Sequence, residues 1–217
     1  MLKFDLPFQK NTPLRVLCLG AHSDDIEIGC GGTILRLLSA YDDLEFHWVV
    51  FGSSGQRDDE AVASANKFLE GASKKKIIVN NFRNSFFPYI GEDIKNYFEE
   101  IKKEVSPDII FTHYRHDLHQ DHRLISDLTW NTYRGPLILE YEIIKYDGDL
   151  GKPNFFVHLD EAICEKKIGF LMDSFNTQRA KDWFTPDAFK SILRIRGIES
   201  KAPSNYAEGF YCRKMVL

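Results

Sequence analysis

Short apolar runs alternate with longer stretches of helical spacing along this chain. Residues 14–19, 45–51, 76–79, 108–112, 137–144 and 155–157 are dense in β-branched, aromatic and leucine side chains, which predicts strands. Residues 26–41, 58–69, 90–105 and 119–133 repeat their apolar positions every three or four residues, as helices do, and two more such patterns follow at 160–179 and 186–195. Ser106-Pro107, Gly135-Pro136 and Thr185-Pro186 punctuate the boundaries. Regular strand–helix–strand alternation means parallel strands joined by right-handed crossovers. The expected fold is therefore α/β: a doubly wound, Rossmann-like, mostly parallel sheet with helices on both faces. No composition shift marks a boundary, so residues 1–217 read as a single domain. The pattern loosens after residue 137, and residues 147–153 read as a loop rich in Gly and Asp.

Composition narrows the field. With 43% hydrophobic and 28% charged residues, the chain can bury a full core without staples. A net charge of -4 leaves no electrostatic footprint for nucleic acid. The basic run Lys74-Lys75-Lys76 reads as a solvated surface where a helix ends and a strand begins. Cys18, Cys30, Cys164 and Cys212 are scattered without a CxxC pair, which argues against a disulfide framework and a thiolate metal site. Cys18 falls inside an apolar strand pattern and is expected in the core. There is no apolar leader core at the N-terminus and no run of about 18 apolar residues. A cytoplasmic, soluble protein without membrane insertion is expected.

The chemistry gathers at two strand ends. The first strand runs into Gly20-Ala21-His22-Ser23-Asp24-Asp25-Ile26-Glu27, followed by Gly29-Cys30-Gly31-Gly32. In doubly wound sheets, ligands bind beyond the carboxyl ends of the strands, where this loop lies. Adjacent carboxylates beside an imidazole are costly unless a positive charge offsets them. A divalent metal does so: His22 and Asp25 suit zinc, leaving Asp24 to handle a proton. A plainer reading makes the aspartates helix caps. A dinucleotide loop fails, because the glycines lack the G-x-G-x-x-G spacing and come too far after the strand.

The fourth strand runs into His113-Tyr114-Arg115-His116-Asp117-Leu118-His119-Gln120-Asp121-His122. Five of the seven histidines lie here or at His22, whereas His47 and His158 fall in or beside strands as packing or surface residues. Spacing by three places His119 and His122 on one face at a helix start, with Asp117 and Asp121 near enough to orient an imidazole. The strand order 3-2-1-4-5 makes strands one and four neighbours, so both clusters would face one crevice.

These residues resemble the LmbE-like, or PIG-L, family of zinc-dependent N-acetylglucosaminyl deacetylases. The family's Ala-His-Pro-Asp-Asp-x-Glu motif is matched by Ala21-His22-Ser23-Asp24-Asp25-Ile26-Glu27, with Ser23 in place of proline, and its His-x-Asp-His motif by His119-Gln120-Asp121-His122. Ser53–Glu60 and Tyr206-Ala207-Glu208-Gly209-Phe210 are weaker matches. The resemblance implies Zn2+ held by His22, Asp25 and His122, and Asp24 as general base. It implies His119 as oxyanion partner or acid, with Asp121 orienting it, and Arg57 as a substrate contact. The implied reaction is removal of an acetyl group from the nitrogen of a small-molecule N-acetylated amino sugar or its conjugate. An amidase acting on a thiol-sugar conjugate, and a non-catalytic sugar- or metal-binding module, are the rival readings. Homo-oligomer formation is left open.

Overall fold

The computed structural model describes residues 12–216; the N-terminal stretch read above for a leader lies outside them. β1 (Leu14–Gly20), β2 (Leu44–Val50), β3 (Lys74–Val79), β4 (Ile109–His113) and β5 (Leu137–Tyr141) pair in parallel, in the expected order β3-β2-β1-β4-β5. The connections are α1 (Asp25–Ala40), α2 (Gln56–Phe68), α3 (Gly91–Glu104) and α4 (Gln120–Thr132). Both faces of the central strands are buried. Val16 and Cys18 of β1 pack with Ile26, Ile34 and Phe68, whereas Leu17 and Leu19 pack with Phe98, Ile101 and Ile125. Thus α1 and α2 cover one face and α3 and α4 the other. That double burial is why β1 and β4 read as largely continuous apolar runs rather than alternating ones.

The second half departs from the expected pattern. β6 (Phe155–Leu159) does not join the parallel set directly: β7 (Tyr206–Cys212) lies between it and β5, antiparallel to both. Glu208 and Gly209 at the centre of β7 weaken its strand signal, so sequence pattern alone missed it. The strand forms because Glu208 is fully paired inside the protein. It accepts the amides of Gly32 (2.8 Å) and Thr33 (2.6 Å) in α1 and an ion pair from buried Lys167 (2.6 Å), which also donates to the Ile28 carbonyl (2.6 Å). Gly32 is required at this crossing, since a Cβ would stand 2.5 Å from Leu159 Cδ1 and 2.8 Å from Glu208 Oε1. The glycines after β1 therefore serve close packing.

The helix expected over residues 160–179 ends earlier: α5 (Glu161–Ser174), capped by Asp160, is followed by a 3-10 turn at Asn176–Gln178. The last helix is longer than expected, α6 (Pro186–Glu199). Lys74, Lys75 and Lys76 are exposed as expected, but they lie within β3. There they blunt the edge of the sheet against further pairing. Among the described residues, no helix is long and apolar enough to cross a membrane.

Candidate metal and catalytic site

The direction of strand addition reverses between β1 and β4, which opens a crevice beyond their carboxyl ends. The loop after β1 brings His22, Asp24 and Asp25 to it; the segment after β4 brings His119, Asp121 and His122. The two clusters meet. His22 Nδ1 lies 3.2 Å from His122 Nε2, Asp25 Oδ2 lies 3.4 Å from His22 Nδ1, and Asp25 Oδ1 lies 3.5 Å from His122 Nε2. Tetrahedral zinc with bonds of about 2.0–2.1 Å spaces its ligand atoms by about 3.3 Å; Asp25 offers a different oxygen to each histidine, and His119 also lies with His22 and His122 within 4.8 Å, so this cluster could hold such an ion. Asp25 does not act as a plain helix cap. Its Oδ2 takes the His22 amide at 2.6 Å, and Asp24, at the N-cap position of α1, makes no side-chain cap hydrogen bond.

Each of these histidines has a carboxylate behind it. His122 Nδ1 meets Asp117 Oδ2 at 2.9 Å, and His22 Nε2 meets Asp121 Oδ2 at 3.3 Å. Such partners fix the ring tautomer and leave the other nitrogen free to ligate. Burial and the neighbouring His113 push His122 down to about 3, against Asp25 and Asp117, so its ring is neutral. His22 goes the other way. Burial opposes its charge, but Asp121 and Asp25 raise it to about 9. A proton on His22 thus places a positive charge between these carboxylates.

The adjacent aspartates are driven apart. Burial raises Asp24 despite the opposing charge of Arg57, while Asp25, against burial, is held well below its usual range by the imidazoles around it, His122, His113 and the protonated His22. Divergent pKa values in neighbouring acids mark divergent roles. The ionised Asp25 is suited to a cation and the more basic Asp24 to a proton. Arg57 Nη2 lies 2.7 Å from Asp24 Oδ1, so the expected substrate contact is first of all a partner of Asp24. Ser23, in the family's proline position, donates to Ser53 Oγ at 2.9 Å and ties the loop to the end of β2.

His119 is the N-cap of α4, its Nδ1 accepting the Asp121 amide at 3.2 Å. The ring proton is therefore on Nε2. Burial and the charge of His22 lower the affinity of His119 for a second proton. The ring is thus a neutral imidazole that offers an Nε2–H donor. Asp121 meets His119 only through this main-chain amide. Its carboxylate accepts the amides of Ser85 (2.6 Å) and Phe87 (3.1 Å) and faces His22.

Two residues gain importance from the structure. Asp117 holds His122 through Oδ2 and accepts the His119 amide at 2.7 Å through Oδ1. Its place five residues before His122 was the available sequence signal. His113, outside the family motif, is fully buried; its Nε2 accepts the Ala21 amide at 2.9 Å and lies 3.2 Å from Asp25 Oδ2. That amide occupies the lone pair of His113, so although Asp25, His113 and His122 cluster within 4.8 Å, His113 serves as a support. His116 is exposed against Tyr114.

The site opens into a cavity of about 380 Å³, whose wall includes Asn84, Ser85, Lys145, Tyr146, Lys181 and Trp183. This is ample for a small organic ligand.

A diacetylchitobiose deacetylase of Thermococcus kodakarensis is 31% identical over 112 residues, a match covering 46% of this chain and 42% of that protein. The structure of N,N'-diacetylchitobiose deacetylase from Pyrococcus horikoshii superposes with a TM-score of 0.64 at 21% identity, covering 90% of this chain and 82% of that one. GalB, a 4-carboxy-2-hydroxymuconate hydratase from Pseudomonas putida, superposes with a TM-score of 0.71 at 18% identity, covering 94% and 98%. At these identities the two structures speak for the fold alone. The PIG-L family model, described as GlcNAc-PI de-N-acetylase, matches residues 17–133. That span includes both strand-end clusters, and the chain belongs to the PIG-L family.

Proposed function

We propose that this protein is a zinc-dependent deacetylase that hydrolyses the amide of an N-acetylated amino sugar or sugar conjugate. The reading is carried by the meeting of His22, Asp25 and His122 at ligand spacing, with Asp24 beside them and buried. Their nitrogen and oxygen donors suit zinc and leave a coordination position open. When bound, zinc lowers the pKa of water to about 7 and polarises the amide carbonyl. Asp24, steadied by Arg57, takes the proton of the attacking water and returns one to the leaving amine, giving a free amino sugar and acetate. His119 donates from Nε2 to the oxygen on which negative charge develops. One such donor is worth about 3 kcal/mol. The GalB neighbour means that the fold does not choose the reaction. The archaeal sequence relative favours deacetylation, and the buried, paired Asp24 favours an enzyme over a binding module.

The test is acetate release from a panel of N-acetylated amino sugars and their conjugates, with metal content measured in parallel. About one zinc per chain is expected, with activity lost on chelation and restored by zinc. A zinc-loaded protein that releases acetate from none of them would overturn the reading.

His22 supplies a second check. To ligate, it must lose the proton it holds up to about pH 9. Apparent zinc affinity should therefore rise with pH, by about tenfold per unit between pH 7 and 9, and flatten above. Chelator competition across this range measures the slope; a flat profile would remove His22 from the ligand set.

A further inference from the structure

Lys145, just beyond β5, lies with its side chain 9% exposed among three carboxylates. Its Nζ is 3.0 Å from Asp117 Oδ2, 2.7 and 2.6 Å from the two oxygens of Asp149, and 4.0 Å from Asp147 Oδ2. Oxygens of the three aspartates lie within 4.8 Å of one another, a grouping that otherwise resembles a cation site. The ammonium supplies that cation from within the chain. Burying it so deeply is costly unless it is fully paired, and here its three donors are shared among Asp117, Asp149 and, at 3.5 Å, the Ile143 carbonyl. Although Lys145 borders the cavity, its hydrogen bonds are committed to the protein.

What these carboxylates hold is the turn that sets the catalytic histidines. Asp117 fixes His122 through Nδ1 and His119 through its amide, and Asp149 Oδ2 accepts the Leu118 amide between them at 2.7 Å. Lys145 clasps both carboxylates at once. We infer that Lys145, anchored by Asp149, is a positioning residue for the metal site: through Asp117 it fixes the ring of His122, so that Nε2 is presented to the ion. This rests on the reading of His122 as a zinc ligand. It gives the loop after β5, conspicuous in the sequence for its Asp and Gly content, a role beyond lining the cavity. Without the ammonium, Asp117 and Asp149 would repel each other and the carboxylate behind His122 would turn away. Loss of such a partner typically weakens metal binding by about 10- to 100-fold.

The experiment measures zinc dissociation constants by chelator competition at fixed pH for wild type, Lys145→Met, Asp117→Asn and the double variant, with melting temperatures of the metal-free forms. Lys145→Met should bind zinc about 10- to 100-fold more weakly than wild type. The double variant should bind no more weakly than Asp117→Asn, because Lys145 acts through Asp117 and the effects are not additive. A residue that only stabilised the loop would lower the metal-free melting temperature and leave zinc affinity within about threefold of wild type. That result, or additive losses in the double variant, overturns the inference. If Lys145→Met does not fold, Asp149→Asn takes its place, with the same weakening expected and the same unchanged affinity overturning the idea. Failure of wild type to bind zinc would instead sink the metal reading from which the inference starts.

Discussion

Asp24→Asn is expected to retain zinc and lose turnover by about 10² to 10⁴, the range for removal of an acid–base group. Asn keeps an oxygen to accept from Arg57, which stands 2.7 Å from the carboxylate, so the loop between β1 and α1 keeps its shape. What disappears is the capacity to take a proton from water. The environment prepares that capacity: burial raises the pKa of Asp24 while Arg57 limits the rise, and Asp25 next to it is held ionised. The measurement is kcat on whichever N-acetylated sugar proves active, alongside metal analysis. Zinc and activity lost together would show that Asp24 helps hold the ion and that the roles of the two aspartates are exchanged.

His119→Ala should keep its zinc and approximate KM while kcat falls by about 10² to 10³, because the donor it removes acts mainly in the transition state. The structure complicates this substitution, since His119 also caps α4 through Nδ1. Loss of an N-cap costs about 1 kcal/mol of stability, which must be separated from loss of chemistry. His119→Ser does so: serine restores the cap but is too short to reach the reacting oxygen. It should recover the melting temperature and not the turnover. Turnover that returns with stability in His119→Ser would reduce His119 to a cap and leave the developing charge without this donor.

Much of this site was legible before the fold was known. The runs that become β1 and β4 are continuous and apolar because both their faces are covered, and the polar clusters begin where the runs end. Chain order then makes β1 and β4 neighbours, since the crossovers of a doubly wound sheet proceed outward on either side of β1. The meeting of His22 and Asp25 with His122 followed from topology and residue type together. The second half was less legible. β7 carries a charged residue and a glycine at its centre, and it becomes a strand only because α1 and Lys167 satisfy Glu208 from distant parts of the chain.

Hydrophobic periodicity and motif spacing report which way an element faces and which side chains share a turn. They carry no information on which of several carboxylates a given imidazole will meet, because that depends on rotamers and on backbone amides from other loops. The family resemblance implied Asp121 as the partner of His119. The folded chain turns that carboxylate to His22, 99 residues away, and pins it with the amides of Ser85 and Phe87. His113 and His116 were equivalent as letters; burial makes one a support beneath Asp25 and leaves the other in solvent. Arg57 reads as a substrate contact until Asp24 is found beside it, and Lys145 is inconspicuous until three aspartates surround it. The sequence by itself determined the parallel part of the sheet, the crevice and the residue types gathered there. Tertiary structure decided the pairing among them, because charges buried at a few ångströms must each find a partner, and those partners lie far apart along the chain.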